Sequence, residues 1–251
     1  MSYGRVIIVL PAYNEEDGIV GFLEEIAEHV VPLVDRLELV IVDDVSRDGT
    51  ANRVEEMAPT GYGVTLVRSA ANRGHGPTAI EAYTRGLTFE PDIVLHVDGD
   101  GQFLGTDFPA VLAAMNGFDG VHGVRAGRTD PWFRKVLSSL VRVMVLLVAR
   151  HRVTDVNTPL RAYRPEALQR LLGLVPRDAT VPHVHFSILE HRLGIRINEV
   201  EVQSIPRRGA TQSGTMWGPT KREPKLPPRR LIVFALRALR EVVTLDIARS
   251  R

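Results

Sequence analysis

An α/β fold with a mainly parallel central sheet flanked by helices follows from three observations on this sequence. Three short, apolar, β-branched runs each end in a polar turn: Val6 to Leu10 before Pro11-Ala12-Tyr13-Asn14, Leu37 to Val42 before Asp43-Asp44, and Ile93 to Val97 before Asp98. Segments with helical spacing separate them. The 251 residues, 44% of them hydrophobic, suffice to bury one large core. Strand–helix–strand alternation builds a parallel sheet, and ligands of such sheets sit beyond the carboxyl ends of the strands, where these polar turns fall.

After the first strand, Gly18 to Val31 carries Ile19, Phe22, Leu23, Ile26 and Val30 at helical spacing, and Thr50 to Ala58 is the next helix. Asn72-Arg73-Gly74-His75-Gly76 supplies a turn, and Pro77 suits the first position of a helix that runs to Leu87. Phe108 to Met115 reads as one more helix. Beyond about residue 125 the pattern loosens into a long basic and apolar helix from Trp132 to Arg150, a segment from Thr154 to Tyr163, helices at Glu166 to Leu172 and His185 to Leu193, and a strand from Ile195 to Val202. Residues 206 to 230 are rich in Arg, Gly and Pro and read as a loop. Leu231 to Arg249 returns to helical periodicity with Arg237 and Arg240 among apolar residues.

Composition narrows the class. The 31 basic and 30 acidic residues nearly cancel, so no global positive field draws the chain to nucleic acid, and any polyanion site is local. The absence of cysteine removes disulfides, thiol catalysis and thiolate metal sites, and fits a cytoplasmic chain. Met1 to Arg5 lead straight into a strand, without the pattern of an export signal. The most membrane-like stretch, Val136 to Ala149, is interrupted by Arg142 and falls short of the ~20 apolar residues of a span. The expectation is a soluble or peripherally bound protein, on the cytoplasmic face if it meets a membrane.

Asp98-Gly99-Asp100-Gly101-Gln102 is an acidic turn with the composition of a metal site. Two carboxylates one residue apart at a strand end, with a carboxamide two further on, set oxygen ligands on one side of a turn, as hard divalent cations require. Gly99, lacking a side chain, lets a phosphate or sugar approach the backbone. The competing reading is an ordinary polar turn with solvated acids. A calcium hand fails at Asp98, because Phe103 and Pro109 stand where Gly and Glu belong. It fits better from Asp44, with Ser46, Asp48, Gly49 and Glu55 in register, but such a hand needs a helix before its loop and Leu37 to Val42 is strand-like. His183 and His185 alternate as in a strand, and a second metal site there is rejected because no carboxylate adjoins them.

Pro11-Ala12-Tyr13-Asn14-Glu15, Asp43-Asp44-Val45-Ser46-Arg47-Asp48-Gly49-Thr50, Asn72-Arg73-Gly74-x-Gly76 and Asp98-Gly99-Asp100-Gly101-Gln102 follow one another at strand ends. Together they resemble the family 2 glycosyltransferases of GT-A fold, and most nearly their dolichol-phosphate mannose synthase and polyprenyl-phosphate glycosyltransferase branch. The resemblance covers about residues 5 to 215. It implies a catalytic domain over 1–215, with 216–251 as a Pro/Arg-rich linker and a C-terminal amphipathic helix.

The resemblance also implies roles. Pro11, Tyr13 and Glu15 contact the nucleoside, and Asp43 holds base or ribose. Asp98 and Gly99 face the nucleotide-sugar, while Asp100 and Gln102 bind Mg²⁺ or Mn²⁺. Gly123-Val124-Arg125 matches a Gly-x-Arg whose arginine reaches phosphate, and Arg134 adds a second cation. Asp44, Ser46 and Asp48 shape their turn and cap the following helix. Asp155-Val156-Asn157-Thr158-Pro159-Leu160-Arg161-Ala162-Tyr163 resembles an Asp-x-x-Ser-Gly-Phe-Arg stretch, with Thr158-Pro159 replacing Ser-Gly; Asp155 is the candidate base. Pro206-Arg207-Arg208-Gly209-Ala210-Thr211-Gln212-Ser213-Gly214 is similar to a lid, in which Arg207, Arg208 and Ser213 meet phosphate and Gly214 stands where a lysine is usual.

The implied activity is inverting, metal-dependent transfer of a sugar from a nucleotide-diphospho-sugar to a polyprenyl phosphate. The basic apolar helix and the tail would lie on an anionic membrane surface. Two other readings stay open: the same chemistry onto a soluble sugar or natural-product hydroxyl, which needs Asp155 as base where a phosphate acceptor does not, and a nucleotide-sugar-binding module without turnover. A nucleotidyltransferase is disfavoured, since Pro11 to Glu15 is not a Gly-rich phosphate loop.

Overall fold

A computed structural model describes residues 2–126 and 153–209, together with Ser139, Val145, Leu146, Arg240 and Glu241. The elements in chain order are β1 (Arg5–Ala12), α1 (Ile19–Val30), β2 (Arg36–Asp43), α2 (Thr50–Glu55), β3 (Gly63–Arg68), α3 (His75–Leu87), β4 (Ile93–His96), α4 (Phe108–Ala114), β5 (Gly120–Ala126), β6 (Arg161–Tyr163), α5 (Pro165–Leu172), α6 (Pro182–Arg192) and β7 (Ile197–Gln203). One seven-stranded sheet runs in the order β3-β2-β1-β4-β6-β5-β7. All neighbouring pairs are parallel except those of β6, which is antiparallel to both β4 and β5. Two antiparallel steps restore direction, so β5 ends at the same sheet edge as β1, β2 and β4.

β1 shows why the sheet is central. Val6, Ile8 and Leu10 point into one core layer with Phe22, Leu23 and Ile26 of α1 and Phe108 of α4, where the rings of Phe22 and Phe108 meet edge to face. Ile7 and Val9 point into the opposite layer with Tyr83 of α3, Leu168 of α5 and Phe186 of α6. A strand buried on both faces has to be apolar at every position, which is why Val6 to Leu10 reads as an unbroken run instead of an alternation. Each such side chain adds about 1.5–3 kcal/mol of burial relative to exposure.

Where boundaries differ from expectation, backbone chemistry gives the reason. α3 begins at His75 because Gly74, at φ +83°, turns the chain immediately before it; Pro77 falls in the first turn, where its missing N–H is still unneeded. α2 ends at Glu55 instead of Ala58, since Pro59 disfavours helical backbone at the residue before it. His183 and His185 lie on helix α6 and not on a strand: Pro182 opens the helix, and burial of its residues from Pro182 to Glu190 leaves no polar face to betray the period. The strands β3 and β5 escape the sequence reading. β3 is a half-buried edge, and β5 is diluted by Gly120 and Gly123. Gly120 is required there, since a Cβ would come within 2.8 Å of both Tyr163 and Ile197.

The expected Trp132 to Arg150 helix, the tail helix and the boundary at 215/216 fall outside the described residues, apart from the five isolated positions named above. Among the described residues, no helix is long and apolar enough to cross a membrane.

Candidate active site

The polar turns of β1, β2 and β4 are laced together by hydrogen bonds. Asn14, in the left-handed region at φ +55°, donates its N–H to Ser46 Oγ (2.9 Å), and its Oδ1 accepts from the Arg47 N–H (2.8 Å). Glu15 N–H donates to Thr50 Oγ1 (2.7 Å), and Gly49 N–H donates to Glu16 Oε2 (2.9 Å). Asp48 accepts from the Thr50 N–H at 3.0 Å. The Asp44 carboxylate receives the N–H groups of Arg73 and Gly74, both at 2.8 Å, so it fixes the turn into α3. Asp44 and Asp48 are therefore ligands of backbone amides, and the strand β2 directly before them closes the calcium-hand reading. Val45 sits between these residues at φ +62°, 39% exposed; a β-branched side chain is strained there, and such strain persists where surroundings over-determine the backbone.

Within this frame, several polar groups remain uncommitted. Asp43 is buried; its Oδ2 accepts from the Ser46 N–H (3.1 Å), and its Oδ1 has no protein hydrogen-bond partner. Asp98 likewise has a buried Oδ1 without a hydrogen bond, 3.6 Å from His75 Nε2. Gly99 packs so closely that a Cβ would stand 3.0 Å from the Pro11 carbonyl oxygen, and its N–H donates to that oxygen (3.1 Å). Pro11 is buried and Tyr13 half-buried at the rim.

Electrostatics single out the same turn. Asp100 is pushed up to about 6, first by burial and then by the neighbouring charge of Asp98, although its Oδ1 accepts from the Gln102 N–H at 3.2 Å. Glu15 is pushed up to about 8 by burial, which outweighs the attraction of Arg207; the charges of Asp100 and Asp98 add to the shift. Burial and neighbouring carboxylates thus disfavour the charged forms of Asp100 and Glu15, a state that a cation or a cationic ligand relieves.

Among the described residues, no group of three or more His, Cys, Asp or Glu side chains converges on a single point. A divalent site here would rest on the Asp98–Asp100 pair with oxygens from substrate and water, the usual composition for Mg²⁺ beside a diphosphate. The unpartnered Asp98 oxygen and the raised Asp100 fit such an ion. Gln102 contributes its backbone to the turn and accepts from the Ile205 N–H (3.1 Å).

The candidate cations are held by carboxylates. Arg125, at the end of β5, grips Asp155 with two hydrogen bonds, Nε–H to Oδ2 at 2.7 Å and Nη2–H to Oδ1 at 3.0 Å, and reaches the Asn157 carbonyl at 3.2 Å. Arg207 pairs with Glu15 and donates to the Asn14 carbonyl (3.0 Å). Arg208 donates to the Gly101 (3.0 Å) and Phe103 (3.1 Å) carbonyls, pairs with Glu25, and lies 5.1 Å above the Phe22 ring. Arg134 and Ser213 lie outside the described residues. Sequence reading passed over His75 and Glu25. His75 stands at the unspecified position of the Asn72 to Gly76 motif and Glu25 belongs to no motif, and only the fold brings them to the acidic turn.

Similarity to known proteins bears on the family and the fold. The family description "Glycosyl transferase family 2" matches residues 7–180. An undecaprenyl-phosphate 4-deoxy-4-formamido-L-arabinose transferase from Aeromonas hydrophila is 31% identical over 214 residues, covering 84% of this chain and 63% of the relative. The protein of the same name from Pseudomonas fluorescens is 32% identical over 198 residues, covering 78% and 57%. This chain therefore spans about three fifths of the length of the curated relatives it matches. Among solved structures, glucosyl-3-phosphoglycerate synthase from Mycobacterium tuberculosis, in complex with Mn²⁺, UDP and phosphoglyceric acid, superimposes with a TM-score of 0.64 at 19% identity, covering 96% of this chain and 78% of that one. The fold is the GT-A fold.

Proposed function

The chain belongs to glycosyl transferase family 2, and on that premise we propose that it moves a sugar from a nucleotide-diphospho-sugar to a polyprenyl phosphate with inversion, assisted by Mg²⁺ or Mn²⁺. The observation that carries the choice of acceptor is the bidentate Arg125–Asp155 pair. Both oxygens of Asp155 already accept from one guanidinium, which disfavours a free general base. A hydroxyl acceptor needs such a base; a phosphate is already an anionic nucleophile near neutral pH. The undecaprenyl-phosphate named in the relatives supports the same choice.

In this reading Asp43 offers its unpartnered oxygen to N–H or O–H groups of the nucleoside, and Pro11 and Tyr13 form the wall beside it. The space beside Gly99 is taken by Pro11, Ala12 and Ile19, so this glycine seats the acidic turn against β1, and Asp98 is left to meet the sugar-diphosphate. Asp98 and Asp100, with Gln102, would hold the divalent ion, which supplies positive charge against the departing diphosphate. A phosphate oxygen of the acceptor attacks the anomeric carbon, and the bond from that carbon to the diphosphate oxygen breaks. The nucleoside diphosphate leaves with the electron pair, and no proton has to move. Arg125 faces the same sheet edge and adds a fixed cation to the developing charge. Arg207 and Glu15 lie over the nucleoside side, where Arg207 can exchange Glu15 for phosphate when donor binds. Arg208 is committed to the backbone of the acidic turn and holds it in shape. A polyprenyl acceptor requires contact with a membrane surface, which a peripheral protein can make.

Transfer of radiolabelled sugar into an organic-soluble product from polyprenyl phosphate, with the anomeric configuration read by NMR, tests the proposal. An inverted sugar phosphate is expected; label that follows only a water-soluble hydroxyl acceptor would select the second reading.

A further inference from the structure

Behind the Arg125–Asp155 pair lies a buried charged cluster that the proposed chemistry does not use. Arg161 is wholly buried at the start of β6. Its guanidinium donates to the carbonyls of Thr158 (Nε–H, 3.0 Å) and Val156 (Nη2–H, 2.8 Å) and to Ser187 Oγ (3.0 Å) on α6. Its charge is met by Glu190 at 3.3 Å, which also accepts from Tyr163 Oη at 2.5 Å and lies 3.0 Å from His122 Nε2. Burial opposes the charge on Glu190, but contact with His122, Arg161 and Tyr163 outweighs it, so the carboxyl sits below its ordinary range.

Such a pair is costly to desolvate and is weak evidence for stability alone. What distinguishes this one is where its donors go. The four consecutive carbonyls of Val156, Asn157, Thr158 and Pro159 are each taken by a side chain: Arg161, Arg125, Arg161 again, and His96 Nδ1 at 2.7 Å. Thr158 Oγ1–H donates to the Gly123 carbonyl at 2.5 Å, and Gly123 N–H donates to the Leu160 carbonyl at 2.8 Å. The loop that carries Asp155 is thereby fixed to β4, β5 and α6 at once. Thr158-Pro159, the departure from the family pattern, is the stretch so held.

We infer that Arg161 is a positioning residue for transfer: through the 155–159 loop it holds Asp155 and the Asn157 carbonyl, and these two aim the Arg125 guanidinium at the departing diphosphate. The inference rests on the function proposed above for Arg125, and its first readout does not. Arg161→Lys keeps the charge but cannot reach both carbonyls and Ser187 with one ammonium. Hydrogen exchange on the full chain should show faster exchange confined to the amides of Thr158 and Gly123, with β1, β2 and the acidic turn unchanged. In turnover assays with nucleotide-sugar and polyprenyl phosphate, kcat should fall about 10²-fold, the usual consequence of a displacement near 1 Å, while KM for the donor stays within about twofold.

Should Arg161→Lys fail to fold, Ser187→Ala decides the matter. It removes one hydroxyl from the cluster and leaves every charge in place, and it should lower kcat about fivefold, the equivalent of one hydrogen bond, with the same local exchange signature. Wild-type exchange at Thr158 and Gly123 in the folded variant overturns the inference, as does an equal loss in kcat/KM that arises from donor KM. A wild-type chain that exchanges as described, responds to Arg161→Lys in exchange, and yet turns over nothing would instead refute the proposed function.

Discussion

Replacing Arg208 with alanine separates a clamp from a phosphate ligand. The side chain supplies two hydrogen bonds to the carbonyls of Gly101 and Phe103, an ion pair with Glu25, and a cation–π contact with Phe22 at 5.1 Å. Two hydrogen bonds at about 1 kcal/mol each, a partly exposed ion pair of about 0.5–1 and a cation–π contact of about 0.5–1 sum to roughly 3–4 kcal/mol. Ordering a long side chain costs about 1.5–2 kcal/mol, so Arg208→Ala should destabilise the protein by about 2 kcal/mol in urea unfolding at pH 7. The effect has a pH signature. Glu25 is held below its ordinary range, chiefly by its hydrogen bond from Arg208. A depressed carboxyl contributes stability above its unfolded value and loses it as pH falls through the folded one, so the gap between wild type and Arg208→Ala should narrow below about pH 4. Stability within about 0.5 kcal/mol of wild type, together with weakened nucleotide-sugar binding, would refute the clamp and make Arg208 a direct phosphate ligand.

Three further outcomes follow from the site. Asp100→Asn should abolish metal-dependent turnover while the fold persists, as read by near-UV circular dichroism beside the rate; full activity in excess metal would place the ion elsewhere. In chelator, the same variant should gain stability relative to wild type as pH rises from about 4 to 6. The folded wild type holds the Asp100 proton up to about 6 and the unfolded chain releases it earlier, a difference of up to about 3 kcal/mol in paired urea titrations. Asp155→Asn keeps an oxygen for Arg125, whose guanidinium engages both Asp155 oxygens, and should lower transfer to a polyprenyl phosphate by less than about tenfold; a loss of about 10²–10⁴-fold, the worth of a general base, would contradict the reading of Asp155 as the partner of Arg125.

Much of the site was legible because its residues follow strands that announce themselves. Val6 to Leu10, Leu37 to Val42 and Ile93 to Val97 are buried on both faces, so composition alone marks them, and the polar residues after them had to gather at one edge of a parallel sheet. The lacing of Asn14 to Ser46 and of Asp44 to Gly74 was legible only as turn-forming character, since hydrogen bonds across about 30 residues of sequence leave no local period. β5 and β6 were hidden for a different reason. They are short and rich in Gly, Arg and His, and their polar side chains are satisfied by α6, which is distant in sequence. The pairing of Arg125 with Asp155 leaves no signal in the sequence either, since the two are 30 residues apart and only the β5–β6 register brings them together. Arg207 and Arg208, read as phosphate ligands, are found facing Glu15 and Glu25, because a site rich in carboxylates attracts nearby cations.

The initial rate of nucleoside diphosphate release from a panel of nucleotide-sugars, measured with and without polyprenyl phosphate and with Mn²⁺, Mg²⁺ or chelator, bears most directly on the whole account. Release that requires both a divalent ion and the polyprenyl phosphate, and that disappears in Asp100→Asn, is the predicted result. Release that is unchanged by chelator, or none with any donor and acceptor, would contradict it.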